Sequence, residues 1–384
     1  MKRRVLFFMN SLYGGGAERV LQTLLNHLPA NDYDITLYAL NQQPLNKLYP
    51  SSLTYRYVFR QGGANRLQRL WYRIGNKIKL LIYHHMSPKV FYRLFVRGTY
   101  DVEVAFIEGY ATRIISGSTN PNSRKLAWVH IDLQQNHWTL AHDCYHSKHE
   151  EDKSYRLYDK ILCVSKTVKQ SLQELYPALT NVEVCYNPIN SRHITDAARR
   201  GADCTNFIKC KNGLTFVSIG RLVHQKGYDR LIPIMARICS LGHRFTLNIL
   251  GEGADRQLLE ELIRQHGLEN EIHLLGFQDN PYPYLAQSDV FLCSSRSEGY
   301  STVVTEAYIL GVPTVTTRCS GMDELINDGV DGLISKNDAE ALFEAIKRLW
   351  DDNMFQILKE GALRRVNDFS IEKTMHEVIN LING

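Results

Sequence analysis

Short apolar runs alternate along the chain with longer amphipathic stretches, and this alternation predicts strands followed by helices. Residues 5–9 read as a buried strand, and an amphipathic helix is predicted from about 17 to 28. A second strand is predicted at 35–40, and the same rhythm resumes after Gly213. Repeated strand–helix units favour a doubly wound α/β fold, and their recurrence predicts two such domains.

The stretch 190–212 is polar and charged, without apolar periodicity, and lies between the two halves. We therefore place a linker at 191–212, between a first domain at 1–190 and a second at 213–369. A length of 384 residues with 44% hydrophobic content is enough to give each domain a core. Ser370 precedes a final amphipathic stretch that predicts a helix.

A glycine-rich turn opens the first predicted helix, with Gly14, Gly15 and Gly16 in succession and Glu18 two residues later. Consecutive glycines let the backbone approach a ligand closely. They are not spaced as in the dinucleotide fingerprint, and Asn41 rather than an acidic residue follows the second strand, so we disfavour a nicotinamide or flavin dehydrogenase. A tight turn without a ligand is the alternative.

Glu298 and Glu306 bracket a strand-to-helix loop in the second half. The apolar run 289–293 places Glu298 just beyond a strand's carboxyl end, where open α/β sheets bind ligands. The pattern turns helical at Thr302, and the N–H groups of a helix start suit a phosphate. Glu306 is placed to reach a ribose and Glu298 a sugar hydroxyl. Surface glutamates favoured by the helix dipole are the alternative.

A second strand-to-helix segment carries two cations. A predicted strand at 215–219 runs into Gly220 and Arg221, and Lys226 with Gly227 precedes the next helix. Arginine offers a planar fork and lysine a compact point charge, and together they suit a diphosphate whose charge develops as it leaves. Solvated surface charges are the alternative.

His130 ends the strand-like run 126–129, a place where a histidine can be either structural or functional. His142, His146 and His149 have helical spacing and raise the possibility of a metal face. The charged residues Lys148, Glu150, Glu151, Asp152 and Lys153 lie among and after them, which predicts a solvated helix, and we predict no metal site.

These motifs together are a resemblance. Gly220-Arg221 with Lys226-Gly227, and the run from Glu298 to Glu306, resemble the donor half of retaining glycosyltransferases of the GT-B fold, family 4, of the bacterial capsule, O-antigen and lipid-linked oligosaccharide type. The resemblance covers nearly the whole chain through Gly15-Gly16-Ala17-Glu18, Trp128-Val129-His130, Asn187-Pro188, and Gly321 with Glu324.

The resemblance implies two Rossmann-like doubly wound domains that face a central cleft. The first would bind the acceptor and the second the nucleotide sugar, and the helix at 370–384 would pack back on the first. It further implies retention at the anomeric carbon, an α-glycosidic bond, and catalysis without metal or cofactor.

By the same resemblance, the catalytic residues are expected to be His130, Arg221, Lys226 and Glu298. The donor is expected to contact Gly220, Arg221, Lys226, Glu298, Gly299, Tyr300, Ser301, Thr302 and Glu306. The loop of Gly14, Gly15, Gly16 and Glu18 is expected to face the acceptor or the phosphates. Ser301 and Thr302 stand where glycine and leucine are common, and Ser320 replaces a glycine, so the pocket lining differs. We expect a UDP-sugar, with a GDP-sugar as the alternative.

The net charge of +5 comes from one segment of the chain. Residues 35–100 contain eleven lysines or arginines and no aspartate or glutamate. Cations and aromatic residues interleave in the segment 56–97, which predicts binding to an anionic membrane surface. A solvated face and a nucleic-acid face are the alternatives, and no nucleic-acid motif supports the latter.

No apolar run approaches the ~18 residues that span a bilayer. The eight cysteines form no Cys-x-x-Cys pair, which predicts reduced thiols. We therefore expect a cytoplasmic protein, peripherally associated with the inner face of the cell membrane.

The sequence thus predicts a glycosyltransferase that moves a hexose or N-acetylhexosamine to a saccharide or lipid-linked acceptor in cell-surface polysaccharide or glycoconjugate biosynthesis. Two alternatives stay open: a GT-B-like sugar-nucleotide epimerase or phosphorylase, and a non-catalytic membrane-surface protein that binds nucleotide sugars.

Overall fold

The computed structural model of the chain describes residues 2–12, 15–45, 48–62, 65–200, 204, 206–351 and 353–384. The chain forms two compact units. The first consists of residues 1–188 together with 372–384, and the second of residues 189–371. The carboxyl-terminal residues 372–384 therefore belong to the same unit as the amino-terminal half of the chain.

The first unit contains a seven-stranded sheet whose strands all pair in parallel. Its strands are β1 (Arg3–Met9), β2 (Tyr33–Asn41), β3 (Thr54–Phe59), β4 (Val102–Ala105), β5 (Arg124–Val129), β6 (Lys160–Cys163) and β7 (Val182–Val184). Their spatial order is β3-β2-β1-β4-β5-β6-β7. The strands predicted at 5–9 and 35–40 lie within β1 and β2, whose Val5 and Ile35 stand opposite each other.

Helices connect these strands in the order that a doubly wound fold requires. They are α1 (Gly16–His27), α2 (Arg66–His85), α3 (Pro88–Phe95), α4 (Tyr110–Ser116), α5 (Trp138–Ala141), α6 (Lys148–Tyr155) and α7 (Lys166–Leu175). The helix α1 buries Val20, Leu21, Leu24 and Leu25, the one-face spacing of an amphipathic helix.

The second unit contains a six-stranded parallel sheet in the order β10-β9-β8-β11-β12-β13. Its strands are β8 (Leu214–Ile219), β9 (Phe245–Leu250), β10 (Ile272–Gly276), β11 (Val290–Cys293), β12 (Thr314–Thr317) and β13 (Gly332–Ser335). Its helices are α8 (Ser191–Arg200), α9 (Tyr228–Ser240), α10 (Arg256–Gln265), α11 (Tyr282–Ala286), α12 (Thr302–Ile309), α13 (Met322–Leu325), α14 (Ala339–Lys347) and α15 (Met354–Arg364). The last helix, α16 (Ile371–Asn383), completes the first unit.

Both faces of the second sheet are covered. Phe216 and Val217 are neighbours on β8, yet each belongs to a different apolar cluster, because side chains alternate across a strand. Parallel sheets covered on both faces are typical of doubly wound proteins. The two parallel-sheet α/β units confirm the predicted fold class.

Part of the segment assigned to a linker at 191–212 is helical. The helix α8 buries Ile194 and Ala197, three residues apart on one face, and the Ala197 carbonyl accepts a hydrogen bond from Asn280 at 2.9 Å. Two buried apolar residues among ten were too few to reveal this helix as a periodic pattern, and its ten residues belong to the second unit.

Each sheet reverses its strand order at one place, which locates its ligand-binding edge. The reversal lies between β1 and β4 in the first unit and between β8 and β11 in the second. Ligands of open α/β sheets bind outside the carboxyl ends of the strands at such a reversal. Among the described residues, no helix is long and apolar enough to cross a membrane.

Candidate functional site

The loops that follow β8 and β11 meet at the strand-order reversal of the second unit. Lys226 lies in the first loop and Glu298 in the second, 72 residues apart in sequence. The Lys226 Nζ stands 2.6 Å from Glu298 Oε1. Two residues that the sequence analysis assigned to one site therefore form an ion pair.

Burial and hydrogen bonding define the electrostatics of this pair. The side chains of Lys226 and Glu298 are 22% and 12% exposed, and the Ser295 hydroxyl donates to the same carboxylate oxygen at 2.6 Å. Burial alone would lower the pKa of the Lys226 ammonium, but the Glu298 charge outweighs it and raises that pKa above its ordinary value. The lysine is therefore charged at neutral pH, and among the described residues its Nζ donates only to Glu298, which leaves two N–H groups for a ligand.

Two arginines hold the backbone of the Glu298 loop. Arg230 Nη2 donates to the carbonyls of Ser294 and Ser295 at 2.7 and 2.8 Å. Arg296 forms a bidentate pair with Asp229, with N–O distances of 2.7 and 2.8 Å. Sequence reasoning missed Arg230, Arg296 and Asp229, because their partners are backbone carbonyls and a distant carboxylate that no local pattern marks.

Gly227 allows the two loops to approach each other. Its φ is +69°, and a Cβ at this position would lie 2.1 Å from the Ser294 carbonyl oxygen. Any other residue would push the turn that carries Lys226 away from the loop that carries Glu298. Gly220 is tightly packed too, since its Cβ would stand 3.1 Å from the Tyr228 hydroxyl.

The helix α12 begins at Thr302, the position that the sequence pattern predicted. Ser301 caps it, because its buried hydroxyl accepts a hydrogen bond from the Val304 N–H at 3.4 Å. Gly299 and Tyr300 precede the cap, and a Cβ on Gly321 would lie 2.6 Å from the Gly299 carbonyl oxygen. The loop after β12 therefore packs against the start of α12.

Glu306 lies one turn into α12 and is 4% exposed. The Tyr282 hydroxyl lies 3.4 Å from Glu306 Oε1, so the residue is held from the side of α11. Arg221 directly follows the Gly220 turn, and its exposed side chain has no hydrogen bond or ion pair with any described residue. Its guanidinium is free to bind an anion.

The remaining predicted site residues belong to the first unit. His130 follows β5 directly, and burial lowers the pKa of its imidazole to about 3, so the ring is neutral at physiological pH. Gly15 and Gly16 stand at the start of α1, where a Cβ on Gly15 would meet Glu18 Oε2 at 2.3 Å. Gly14 lies outside the described residues.

A carboxylate that the sequence analysis did not single out lies beside His130. The carboxylate of Asp132, two residues after His130, accepts from the backbone N–H groups of Gln134 and Gln135 and from the Ser171 hydroxyl. Glu108, three residues beyond β4, accepts a hydrogen bond from the His130 backbone N–H at 2.9 Å. Its burial between two strand ends gives no signal in the sequence.

Metal-ligand clusters are absent from the part of the chain that the structure describes: no three His, Cys, Asp or Glu side chains stand where they could share an ion. His146, one of the histidines with helical spacing, lies 2.7 Å from the His84 carbonyl through its Nε2.

Two family models match the chain. Residues 14–193 match Glycosyltransferase Family 4, and residues 207–364 match Glycosyl transferases group 1. Between them, the matches cover both units.

Curated relatives are glycosyltransferases. The lipopolysaccharide core biosynthesis glycosyltransferase LpsE of Rhizobium meliloti is 32% identical over 43% of this chain and 48% of its own length. The N-acetylgalactosamine-N,N'-diacetylbacillosaminyl-diphospho-undecaprenol 4-alpha-N-acetylgalactosaminyltransferase of Campylobacter jejuni is 31% identical over 59% of this chain and 62% of its own length. The chain therefore matches about half to three fifths of these relatives.

Solved structures share the whole fold. HepE of Anabaena in complex with UDP-glucose superposes with a TM-score of 0.74 at 17% identity and covers 99% of both chains. The lipopolysaccharide outer core galactosyltransferase WaaB, in its apo form, gives a TM-score of 0.63 at 15% identity over 98% of this chain and 99% of its own. Because the two family models together span most of the sequence and both units have this fold, the protein belongs to the glycosyltransferases of the GT-B, family 4 type.

Proposed function

We propose that the protein is a retaining glycosyltransferase that moves a hexose or N-acetylhexosamine from a UDP-sugar to a saccharide or lipid-linked acceptor and forms an α-glycosidic bond. The observation that carries the proposal is the Lys226–Glu298 pair, which lies at the strand-order reversal of the second unit near the start of α12. The pathway we propose is the biosynthesis of a cell-surface polysaccharide or glycoconjugate.

In this proposal, the bond between the anomeric carbon and the phosphate oxygen breaks, and negative charge develops on the departing diphosphate. Lys226 and Arg221 stabilise that charge, a contribution that grows toward the transition state. The acceptor oxygen bonds to the anomeric carbon on the same face, and its proton passes to the departing phosphate oxygen. His130 contacts the transferred sugar.

The remaining contacts bind the donor. The start of α12, with Gly299, Tyr300, Ser301 and Thr302, suits a phosphate because its N–H groups and dipole favour an anion. Glu298 is placed to bind sugar hydroxyls and Glu306 the ribose. Since Lys226 and Arg221 supply fixed positive charge, the leaving group requires no metal ion in this proposal.

Two findings support the substrate classes. HepE was solved in complex with UDP-glucose, which supports a UDP-sugar donor. The Campylobacter jejuni relative is named for a saccharide on diphospho-undecaprenol, which supports a lipid-linked acceptor.

The helix α2 supports a membrane-surface partner, because three different faces run along it. One face carries large apolar residues that recur every three or four positions and are 42% to 69% exposed: Leu67, Leu70, Trp71, Ile74, Ile78 and Leu81. The adjacent face carries cations, namely Arg66, Arg69, Arg73 and Lys77. On the third face, Lys79 donates to the Val58 carbonyl at 2.5 Å and Tyr83 to the Cys144 carbonyl at 2.7 Å.

An exposed apolar stripe beside a cationic one matches the boundary between acyl chains and anionic headgroups. We therefore propose that the first unit docks through α2 on an anionic membrane surface, where a lipid-linked acceptor would lie.

The first experiment is thermal stabilisation of the purified protein by UDP-, GDP-, ADP- and TDP-sugars, each with and without EDTA. We expect a shift with UDP-sugars that survives EDTA. A shift with another nucleotide would replace the proposed donor, and a shift abolished by EDTA would contradict metal-independent binding. Stabilisation without release of UDP when acceptor is added would favour the non-catalytic binding protein.

A further inference from the structure

Three loops of the first unit meet at its own strand-order reversal. Asn10 follows β1 directly, Glu108 lies shortly after β4, and His130 follows β5 directly. The three strands are neighbours in the order β1-β4-β5. Asn10 Nδ2 donates to the Glu108 carbonyl at 3.5 Å, and the Glu108 carboxylate accepts from the His130 N–H at 2.9 Å. The loops are therefore linked through Glu108.

Glu108 is a buried carboxylate without a cation. It is 2% exposed and forms no ion pair with any described residue. Burial raises the pKa of Glu108, while the N–H groups that it contacts act in the opposite direction. Burying such a group costs stability unless its hydrogen bonds compensate. A simple packing role would be served better by an apolar side chain.

Both carboxylate oxygens of Glu108 serve one loop. One accepts from the His130 backbone N–H and the other from Trp138 Nε1 at 3.0 Å. Gly109 makes the second contact possible, because its φ is +85° and a Cβ there would lie 2.8 Å from the Trp138 ring. Glu108 thus fixes the loop 130–138 at both ends, including the backbone position from which the His130 side chain extends.

Two buried polar atoms around Glu108 have no hydrogen-bond partner among the described residues: Asn10 Oδ1 and His130 Nε2. The imidazole is neutral and its Nε2 has no partner, so in the Nδ1–H tautomer, which the nearby Phe106 backbone favours, Nε2 offers a lone pair. Asn10 uses its amide N–H for the Glu108 carbonyl, so its oxygen remains. Both unsatisfied atoms are hydrogen-bond acceptors.

We propose that Asn10 and Glu108 belong to the same site as His130: Asn10 Oδ1 and His130 Nε2 accept hydrogen bonds from saccharide hydroxyl groups, and Glu108 is the positioning residue of the loop that carries His130. This inference rests on the proposed function and names the ligand chemistry of the first unit's edge. Two hydrogen-bond acceptor atoms bind hydroxyl groups, because a hydroxyl can donate its proton to each of them. A phosphate offers only acceptor oxygens and would find no hydrogen-bond donor in this pair. The hydroxyl groups come from the donor sugar or from the acceptor saccharide.

The test compares Asn10→Ala and Glu108→Gln with the wild type by isothermal titration and steady-state kinetics. Each protein is titrated with UDP alone and with the UDP-sugar that gives the largest thermal stabilisation. The difference between the two affinities is the contribution of the sugar. Both variants should bind UDP as the wild type does. If the bound hydroxyl group belongs to the donor sugar, the affinity of both variants for the UDP-sugar should fall about tenfold. If it belongs to the acceptor saccharide, the KM of both variants for the acceptor should rise about tenfold.

Glu103→Gln is the matched control. Glu103 is another fully buried carboxylate, on β4 itself, and it accepts from Tyr92 and Asn120 rather than from the loop 130–138. Its substitution should lower the thermal midpoint without changing the sugar contribution or the acceptor's KM.

The inference and the proposed function fail differently. If both Asn10→Ala and Glu108→Gln keep the wild-type affinity for the UDP-sugar and the wild-type KM for the acceptor, the inference is wrong and the proposed function is unaffected. A wild type that binds no nucleotide and no UDP-sugar overturns both. Should Glu108→Gln not fold, Asn10→Ala decides alone, since Asn10 is only partly buried.

Discussion

Lys226 carries the strongest prediction at the scale of single residues. Its ammonium is held 2.6 Å from Glu298 and charged, with two N–H groups left for a ligand. If it stabilises the departing diphosphate, Lys226→Ala should lower kcat/KM by about 10²- to 10³-fold. Lys226→Arg keeps the charge but changes its shape, so it should restore only part of the loss. Steady-state kinetics of UDP release measure both.

The control for Lys226 is Lys347→Ala. Lys347 is also a lysine of the second unit and pairs with Glu344 at 2.8 Å, but on the surface of α14. Its removal should leave kcat/KM unchanged, because exposed pairs contribute little. Activity of Lys226→Ala within about tenfold of the wild type would contradict the assigned role, since the removal of one charge-stabilising donor typically costs more.

His130 predicts how stability changes with pH. Burial lowers the pKa of the folded-state imidazole to about 3, against an ordinary value of 6.5. Between these values, the unfolded chain takes up a proton that the folded chain does not, so stability falls as the pH decreases through this window. His130→Gln removes this group and should flatten the decline of the thermal midpoint between pH 6.5 and the acid limit of folding.

The comparison for His130 is the exposed His149. His149→Gln replaces a side chain that lies outside the core, and it should keep the wild-type decline. Equal slopes for His130→Gln and the wild type would mean that the imidazole is hydrated in solution, which would also remove the basis for a buried, neutral acceptor at Nε2.

At the scale of elements, the hydrophobic pattern predicted the strands and helices that pack into the core, and it did not predict a helix that few contacts hold in place. The strands at 5–9 and 35–40 and the helix start at Thr302 were predictable, because each lies in an element that buries most of its side chains in the core. The helix α8 was not, because it contributes only Ile194 and Ala197 to the core.

The candidate site divides in the same way. Lys226 and Glu298 were predictable because each follows an apolar strand, and neighbouring parallel strands bring their carboxyl ends together. Arg230 was not predictable, because its partners are backbone carbonyls of Ser294 and Ser295. Glu108 was missed for a related reason: only the adjacency of β4 and β5 shows that its carboxylate reaches the His130 backbone.

The cap of α12 yields a prediction about one element. Ser301 accepts the Val304 N–H, and Ser301→Ala should cost about 1 kcal/mol of stability. Because α12 begins at the proposed phosphate position, fraying should also weaken UDP binding. The thermal midpoint and titration with UDP measure the two effects.

Ser147→Ala is the matched control, since Ser147 caps α6 of the first unit by accepting the Glu150 N–H at 3.2 Å. It should lower the thermal midpoint similarly and leave UDP affinity unchanged. Equal UDP affinity for Ser301→Ala and the wild type would separate the start of α12 from the nucleotide site.

At the scale of the whole molecule, the net charge is positive because of one segment, residues 35–100. Eleven cations and no anions lie between residues 35 and 100, and within that segment α2 places four of the cations beside an exposed apolar stripe. Coulombic attraction would bring the protein to an anionic surface, and the apolar stripe would retain it there. The two contributions are separable, because only the first is screened by salt.

We therefore predict two distinct defects in vesicle sedimentation. Replacing Arg69, Arg73 and Lys77 by glutamine should weaken binding to phosphatidylglycerol-containing vesicles at low salt and reduce its dependence on ionic strength, at about 1 kcal/mol per cation. Replacing Trp71 and Ile78 by glutamate should weaken binding at every salt concentration. Leu258→Glu, at a 48% exposed leucine of α10, should change neither. Wild-type binding that is equal for neutral and anionic vesicles would exclude the cationic face from docking, and no binding to either would leave α2 without a membrane role.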